Sequence, residues 1–401
     1  MGLGVVAIAD PPTAIRLKVP FSDGLGGVDD RPIPYSYEAF RRCQMMARAE
    51  GFLCFVSRCV KVFWLIPFLM CSCTKEGDTL YLEDVVKDER PFLYFILGED
   101  KMGDRTYYDE LYRGVSEAAM ELDCMFSIDI IRQGEGIDLK DEYNYFLDYL
   151  EAIGEGHRTL VVIGNDNFEP MIHELQPQLE KLEDIDFLLV ESKDSTTVMH
   201  TIYFPLSGVC YQAGRLTREC MPDVQRIAIA RANPSDIPIK GLAESFREGF
   251  MADGSSRIID EYFLQPQSGG YEMPDSTYRL SYTLDSLYQM VLPLCGSSQQ
   301  GFLRYNREHP ESFYTIGLDA NMQPYSNRVP FSLVKHVSSA VKEWITRWHE
   351  GQEMPRHMYL GLESGYTEVV VSEDYKAALS PFLPNFLNEA ILKEKEYESV
   401  Y

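Results

Sequence analysis

The sequence predicts an α/β fold of two open, doubly wound parallel-sheet lobes. Three observations carry that expectation: apolar runs such as Phe92–Gly98 (FLYFILG) and Thr159–Ile163 (TLVVI), stretches of helical periodicity between such runs, and a faltering of the alternation at His200–Gly214. A continuous apolar run reads as a strand buried on both faces, as in a parallel sheet covered by helices. Strand and helix in regular alternation are βαβ units.

Taken in order, strands are expected at Phe92–Gly98, Met125–Ile131, Thr159–Ile163, Phe187–Val190, Arg226–Ala230, Arg257–Leu264, Met290–Leu294 and Phe313–Leu318. Helical periodicity falls at Thr106–Leu122, Tyr143–Ile153, Met171–Leu182, Ile239–Met251, Leu284–Gln289 and Val337–His349. That many units either close into one barrel or split into two open sheets. HTIYF followed by Pro205 and the Gly208–Gly214 stretch breaks the series, as expected where a chain leaves one lobe and enters another. Two open sheets leave a cleft, and such sheets bind ligands beyond the carboxyl ends of their strands.

Ahead of this region lies FWLIPFLMCSCTKEGD, Phe63 to Asp78. A membrane span needs roughly 20 apolar residues, and Arg58 and Lys61 leave only Val62–Met70 free of charge. That length suits the apolar centre of an export signal. A zinc site on Cys71 and Cys73 would need wider spacing and further Cys or His ligands. Basic residues, a short apolar run and Ser72 before Cys73 match a lipoprotein-processing site, so Cys73 is the expected lipidated residue and residues 73–87 the tether. Export signals begin at the N-terminus, so residues 1–72 are expected to combine a mis-assigned upstream segment with the signal peptide. A start at Met45 or Met46 would place Arg48, Arg58 and Lys61 in its basic region.

Charge narrows the partners. The 401 residues carry 37 basic and 62 acidic side chains, for a net charge of −25. Nucleic-acid binding needs a basic face, and none is expected. Cys124, Cys210, Cys220 and Cys295 are spaced too irregularly for a disulfide framework. No histidine pattern of metal-ligand spacing occurs, so no metal is expected. The turn after the first strand lacks GxGxxG, and neither GxSxG nor GxxxxGK[ST] occurs. The chain is therefore read as a binding protein without cofactor, not an enzyme.

Polar residues cluster at the expected strand ends: Asp104 and Asp109 after the first, Gly164-Asn165-Asp166-Asn167 after the third, Cys295-Gly296-Ser297-Ser298 after a late one, and Asp319 after another. Each alone also suits a loop or helix cap. Their agreement on one sheet edge makes Asp104, Asp109, Asn165, Gly296 and Asp319 ligand candidates.

The stretch Ile316–Gly351, with Ile316-Gly317-Leu318-Asp319 and Ser332-Leu333-Val334-Lys335 ahead of an amphipathic helix, resembles the basic membrane protein family of PnrA-like nucleoside-binding lipoproteins of ABC transporters. Weaker matches follow the same order: Gly103–Gly114, Gly208–Leu216, Phe246–Phe250, Cys295–Gly301 and Leu360–Gly365. The resemblance implies a type I periplasmic-binding-protein fold with a three-crossover hinge. It also implies lobes at 88–204 with 335–358 and at 205–334 with 359–401, and a cleft that takes a nucleoside. By the same resemblance Asp319 meets the ribose hydroxyls, Lys335 reaches the sugar from the hinge, Asp104 meets the base, and Tyr107, Tyr108 and Phe246 stack on it. Two positions depart from the family pattern. Tyr108 stands where the family has an asparagine that bonds the base, and Glu191 ends a strand that more often closes on Asp.

The expected role is a lipid-anchored solute receptor of the cell envelope, facing the periplasm or cell surface, that hands a nucleoside-like ligand to an ABC permease. The alternative is an envelope sensor or interaction lipoprotein of the same fold, binding another small polar ligand such as a sugar.

Overall fold

The computed structural model describes residues 90–399, apart from 100, 133–138, 155–156, 195–197, 253 and 255–256. The export signal, the tether and Cys73 lie outside the described residues.

Strand β1 (Phe92–Gly98) is followed by α1 (Tyr107–Glu121), β2 (Met125–Ile131), α2 (Leu139–Gly154), β3 (Thr159–Ile163), α3 (Glu169–Leu179), β4 (Ile185–Val190) and β5 (His200–Tyr203). The chain then runs through α4 (Ser207–Cys220), β6 (Arg226–Arg231), α5 (Ile237–Phe250), β7 (Ile258–Phe263), α6 (Pro274–Leu284), β8 (Met290–Leu294) and α7 (Gln299–Glu308). It closes with β9 (Tyr314–Thr315), β10 (Gly317–Asp319), β11 (Phe331–Lys335), α8 (Val337–His349), β12 (His357–Tyr359), β13 (Thr367–Val371), α9 (Lys376–Leu379) and α10 (Leu383–Glu398).

The first lobe is a six-stranded sheet in the order β12-β5-β4-β3-β1-β2, parallel throughout. Successive residues of β1 point to opposite faces, and both faces are covered. Leu93, Phe95 and Leu97 pack with Leu111 and Val115 of α1 and Val341 and Trp344 of α8. Tyr94 and Ile96 pack with Phe146 and Leu150 of α2 and Met171 and Ile172 of α3. This double coverage is why β1 reads as unbroken apolar sequence.

The second lobe joins a parallel sheet, β7-β6-β8-β9, to a smaller one, β10-β11-β13, in which β13 runs antiparallel to β11. The Ile316 N–H donates to Val291 O at 3.0 Å, so β10 continues the edge begun by β9. One face packs on α4, α5 and α10 through Leu216, Phe246, Phe250 and Phe386. The other packs on α6 and α7 through Leu284, Phe302 and Tyr305. Three segments cross between the lobes: 203–207, 335–337 and 359–367.

Several boundaries differ from the sequence expectation. The stretch His200–Gly214 is strand β5 followed by the start of helix α4, because its glycines are packing positions and not a loop signal. A Cβ on Gly214 would lie 2.3 Å from Phe246 O, so α4 and α5 cross with their backbones nearly touching. The helix expected at Leu284–Gln289 ends where it was expected to begin: α6 starts at Pro274, whose fixed φ suits a first helical turn. Phe313–Leu318 is not one strand but two short ones that hydrogen-bond in different sheets.

A groove of about 530 Å³ runs along the back of the hinge past Pro205, Tyr359, Gly361 and Glu394. Glu394, on α10, is 7% exposed, and its two carboxylate oxygens accept the Leu362 N–H at 3.2 and 3.4 Å. Burial, with Glu398 adding to it, pushes its carboxyl up to about 8.

Two outcomes follow from this packing. Gly214→Ala gains helix propensity but meets backbone at the crossing, so it is expected to lower stability by about 1–3 kcal/mol in denaturant unfolding; a rise in stability would contradict the close approach. Glu394 has a folded pKa raised above its unfolded one, so its contribution is full below the unfolded pKa and disappears as pH rises through about 8. Glu394→Gln should therefore match the wild-type Tm near pH 4 and exceed it near pH 9.

Candidate ligand-binding site

The site grows from three strand ends that meet at the hinge. Lys335 closes β11 just before a crossing, Glu191 follows β4, and Asp319 closes β10. The Lys335 ammonium is ion-paired with Glu191, and its Nζ lies 3.4 Å from Asp319 Oδ1. Glu191 Oε2 also accepts the Phe204 N–H at 3.1 Å. One carboxylate thus joins the first crossing, at Phe204, to the second, at Lys335. Burial alone would lower the Lys335 pKa, but Glu191 and Asp319 raise it and keep the ammonium charged. Burial pushes the Glu191 carboxyl up, and Lys335 brings it partly back.

Glu191 and Asp319 both sit in the left-handed region, with φ of 61° and 67°. That conformation costs a non-glycine residue roughly 1–2 kcal/mol. The cost is offset by turning both carboxylates toward a single ammonium. Glu191 was legible in the sequence only as a departure from the family pattern, because nothing local marks a strand-end acid as the partner of a lysine 144 residues away.

Aromatic side chains wall the first-lobe side. The Lys335 Nζ lies 5.6 Å from the centre of the Tyr107 ring, whose hydroxyl donates to Gly164 O at 2.7 Å. Tyr107 is edge-on to Tyr108 with centroids 4.9 Å apart. The Asn165 amide donates to the Tyr108 hydroxyl at 2.6 Å, and Lys101 sits 5.5 Å over the Tyr108 ring. Asp166 is exposed beside them. Partial desolvation, then Glu191, Glu169 and Asp236, push its carboxyl up to about 6. Asp236 belongs to the second lobe, where it caps α5 through the Ile239 N–H at 2.9 Å and accepts the Tyr271 hydroxyl. Gly296, with φ 54°, packs against the same Tyr271. Lys101 reaches Glu272 across the cleft mouth in an ion pair.

Tyr107, Tyr108, Asn165, Asp319 and Lys335 therefore form one connected cluster, with Gly296 across from it beside Tyr271. Asp104 and Asp109 stand at the same edge but are engaged by their own loop. Asp104 accepts the Thr106, Tyr108 and Asp109 N–H groups at 2.9, 3.1 and 3.1 Å, together with the Thr106 hydroxyl at 2.6 Å. Asp109 accepts the Gly103 and Arg105 N–H groups at 2.8 and 2.9 Å. Both carboxylates hold the turn into α1. Phe246 is not beside the cluster: it is 0% exposed, stacked 6.2 Å from Phe250 in the core beneath α4. Its FREGF motif serves helix packing.

Among the described residues, no group of three His, Cys, Asp or Glu could hold a metal ion, and no helix is long and apolar enough to cross a membrane. The four described cysteines are free thiols.

No protein-family model matches the chain. No curated protein matches it either. Solved structures do match in fold. A solute-binding protein of an ABC transporter system from Aeropyrum pernix superposes with a TM-score of 0.57 at 16% identity, covering 77% of this chain and 86% of its own. A transcriptional activator of the comK gene from Bacillus halodurans gives 0.56 at 14%, covering 74% and 97%. A periplasmic solute-binding protein of an ABC transporter from Actinobacillus succinogenes, with bound D-allose, gives 0.52 at 12%, covering 72% and 100%. Together with the two parallel-sheet lobes and the three crossings, these matches establish a type I periplasmic-binding-protein fold for the described part of the chain.

Proposed function

We propose that this chain is an extracytoplasmic solute-binding protein, lipid-anchored through Cys73, that closes around a nucleoside-like ligand and delivers it to an ABC permease. The observation that carries the proposal is the convergence of Asp319 and Lys335, 3.4 Å apart at the junction of two facing lobes. A carboxylate accepts two hydroxyl hydrogen bonds, and an ammonium donates further ones. A vicinal diol with a ring oxygen matches that pairing. Tyr108, half-buried in the cleft wall, is the aromatic face available to a base. The anchor rests on the Ser72-Cys73 signal, and the lobes of the proposal are residues 88–204 with 335–358 and residues 205–334 with 359–401.

One observation favours a second reading. The base end of a nucleoside would find Asp104 and Asp109 engaged by their loop and Phe246 in the core. An envelope sensor or interaction lipoprotein binding a simple sugar needs only the diol end.

A thermal-shift screen separates the two, because a ligand that binds only the native form raises Tm by mass action. The proposal expects a larger rise from nucleosides than from ribose or free bases at equal concentration. A rise from sugars alone favours the second reading, and no rise from any of them ends both. Asp319→Asn is the sharper probe than Asp319→Ala, since asparagine tolerates the left-handed φ of 67°. Glu191 still pairs Lys335 in that variant, so stability should hold, while ligand affinity in calorimetry should fall by about 1.5–3 kcal/mol. Unchanged affinity would remove Asp319 from the site.

A further inference from the structure

Outside the acidic cluster, the rim of the cleft carries a feature of opposite sign. A cup of about 190 Å³ is lined by Arg105 from the first lobe and by Asp275, Gln300, Arg304, Arg307 and Tyr325 from the second. Gln300, Arg304 and Arg307 are spaced i, i+4, i+7 on α7 and so project from one face of that helix. Opposite them, Arg105 lies with its guanidinium 5.9 Å from the Tyr325 ring centre, its backbone N–H held by Asp109.

The charges here are not balanced internally. Arg304 pairs with Glu308 at 3.1 Å and approaches Asp275 at 3.9 Å. Among the described residues, the Arg105 and Arg307 guanidiniums face no carboxylate within ion-pair distance, in a chain with 62 acidic and 37 basic side chains. The Gln300 side-chain nitrogen is buried and has no acceptor among the described residues. That nitrogen lies within the wall of the cup, so the donors presented to its space are the guanidiniums. Guanidinium forks facing a small concavity are a donor set that recognises a tetrahedral oxyanion.

We propose that this cup binds a small oxyanion, phosphate or sulfate, and that the bound ion bridges the lobes at the cleft mouth through Arg105 on one side and Arg307 on the other. Because the cup is complete only when the lobes face each other, the ion favours the closed form. The proposal stands independently of which solute the cleft takes.

The test is calorimetric titration of sodium phosphate into the full chain at constant ionic strength, with Tm measured in parallel. Saturable binding is expected, and Arg307→Gln and Arg105→Gln should each weaken it about tenfold or more. Arg279→Gln, the same charge change at an exposed position of α6, should leave it unaltered. An equal response from wild type and all three variants, or a rise in Tm that never saturates, is a bulk salt effect and overturns the proposal. Loss in Arg307→Gln with full retention in Arg105→Gln overturns the bridge between lobes. Ribose 5-phosphate distinguishes the sources. If it outbinds phosphate and loses that advantage in Arg307→Gln, the oxyanion is part of the solute; if phosphate binds alike with and without ribose, it is a separate ion.

Discussion

A single ammonium, Lys335 Nζ, sits between two carboxylates at the point where the lobes join, and the cleft depends on that arrangement. Bringing charges out of water is costly, and their mutual attraction repays it only when the ammonium keeps a carboxylate partner. Here the partners come from the ends of β4, β10 and β11, one in the first lobe and two in the second. Folding each lobe alone would leave Glu191 or Lys335 incompletely paired. The ion cluster therefore works as a register mark, holding the two sheets with their carboxyl edges toward each other. Glu191 extends it by gripping the Phe204 N–H, so that two of the three crossings answer to one side chain.

The central strands were legible because they are buried on both sides. Thr159–Ile163 and Met290–Leu294 match their expected limits, and every residue of both runs is buried; Met125–Ile131 matches too, although it is an edge strand whose residues are mostly half-buried. Helix α8 was equally plain: its buried Val337, Ala340, Val341, Trp344, Ile345 and Trp348 follow a helical spacing. Elements whose packing runs through glycine were not legible. Gly208 and Gly214 look like a turn in sequence, yet each admits a neighbouring backbone into α4, and only the partner's position reveals it. Helix α7 was missed for another reason. It opens on Gln299-Gln300 and carries Arg304, Asn306, Arg307 and Glu308, so its apolar face is only Phe302, Leu303 and Tyr305.

The candidate site divides along the same physical line. Asp319 and Lys335 could be picked out because they lie in recognisable strand-end motifs, and the fold brings those ends together. Asp104 and Asp109 could not be separated from Asp319 in the sequence, since a carboxylate engaged by its own turn and one open to a guest occupy the same kind of loop. What separates them is the supply of nearby backbone N–H groups. Asp104 faces four donors within its own turn, which leaves little capacity for a guest. Phe246 enters the expected site by its motif alone, while its side chain lies in the core of the second lobe against Phe250.

The distribution of charge ties these points to the work of the cleft. Asp166, Glu191, Asp236 and Asp319 stand around Lys335, so the junction of the lobes carries more negative than positive charge. Such a lining repels anions and suits neutral, hydroxyl-rich guests, whose donors satisfy carboxylates without adding charge. The arginines are held apart from it, at the rim. In a strongly acidic chain this segregation sets two different electrostatic environments within a short distance of each other. Each is built from residues of the two lobes, Glu191 with Lys335 in one case and Arg105 with Arg307 in the other.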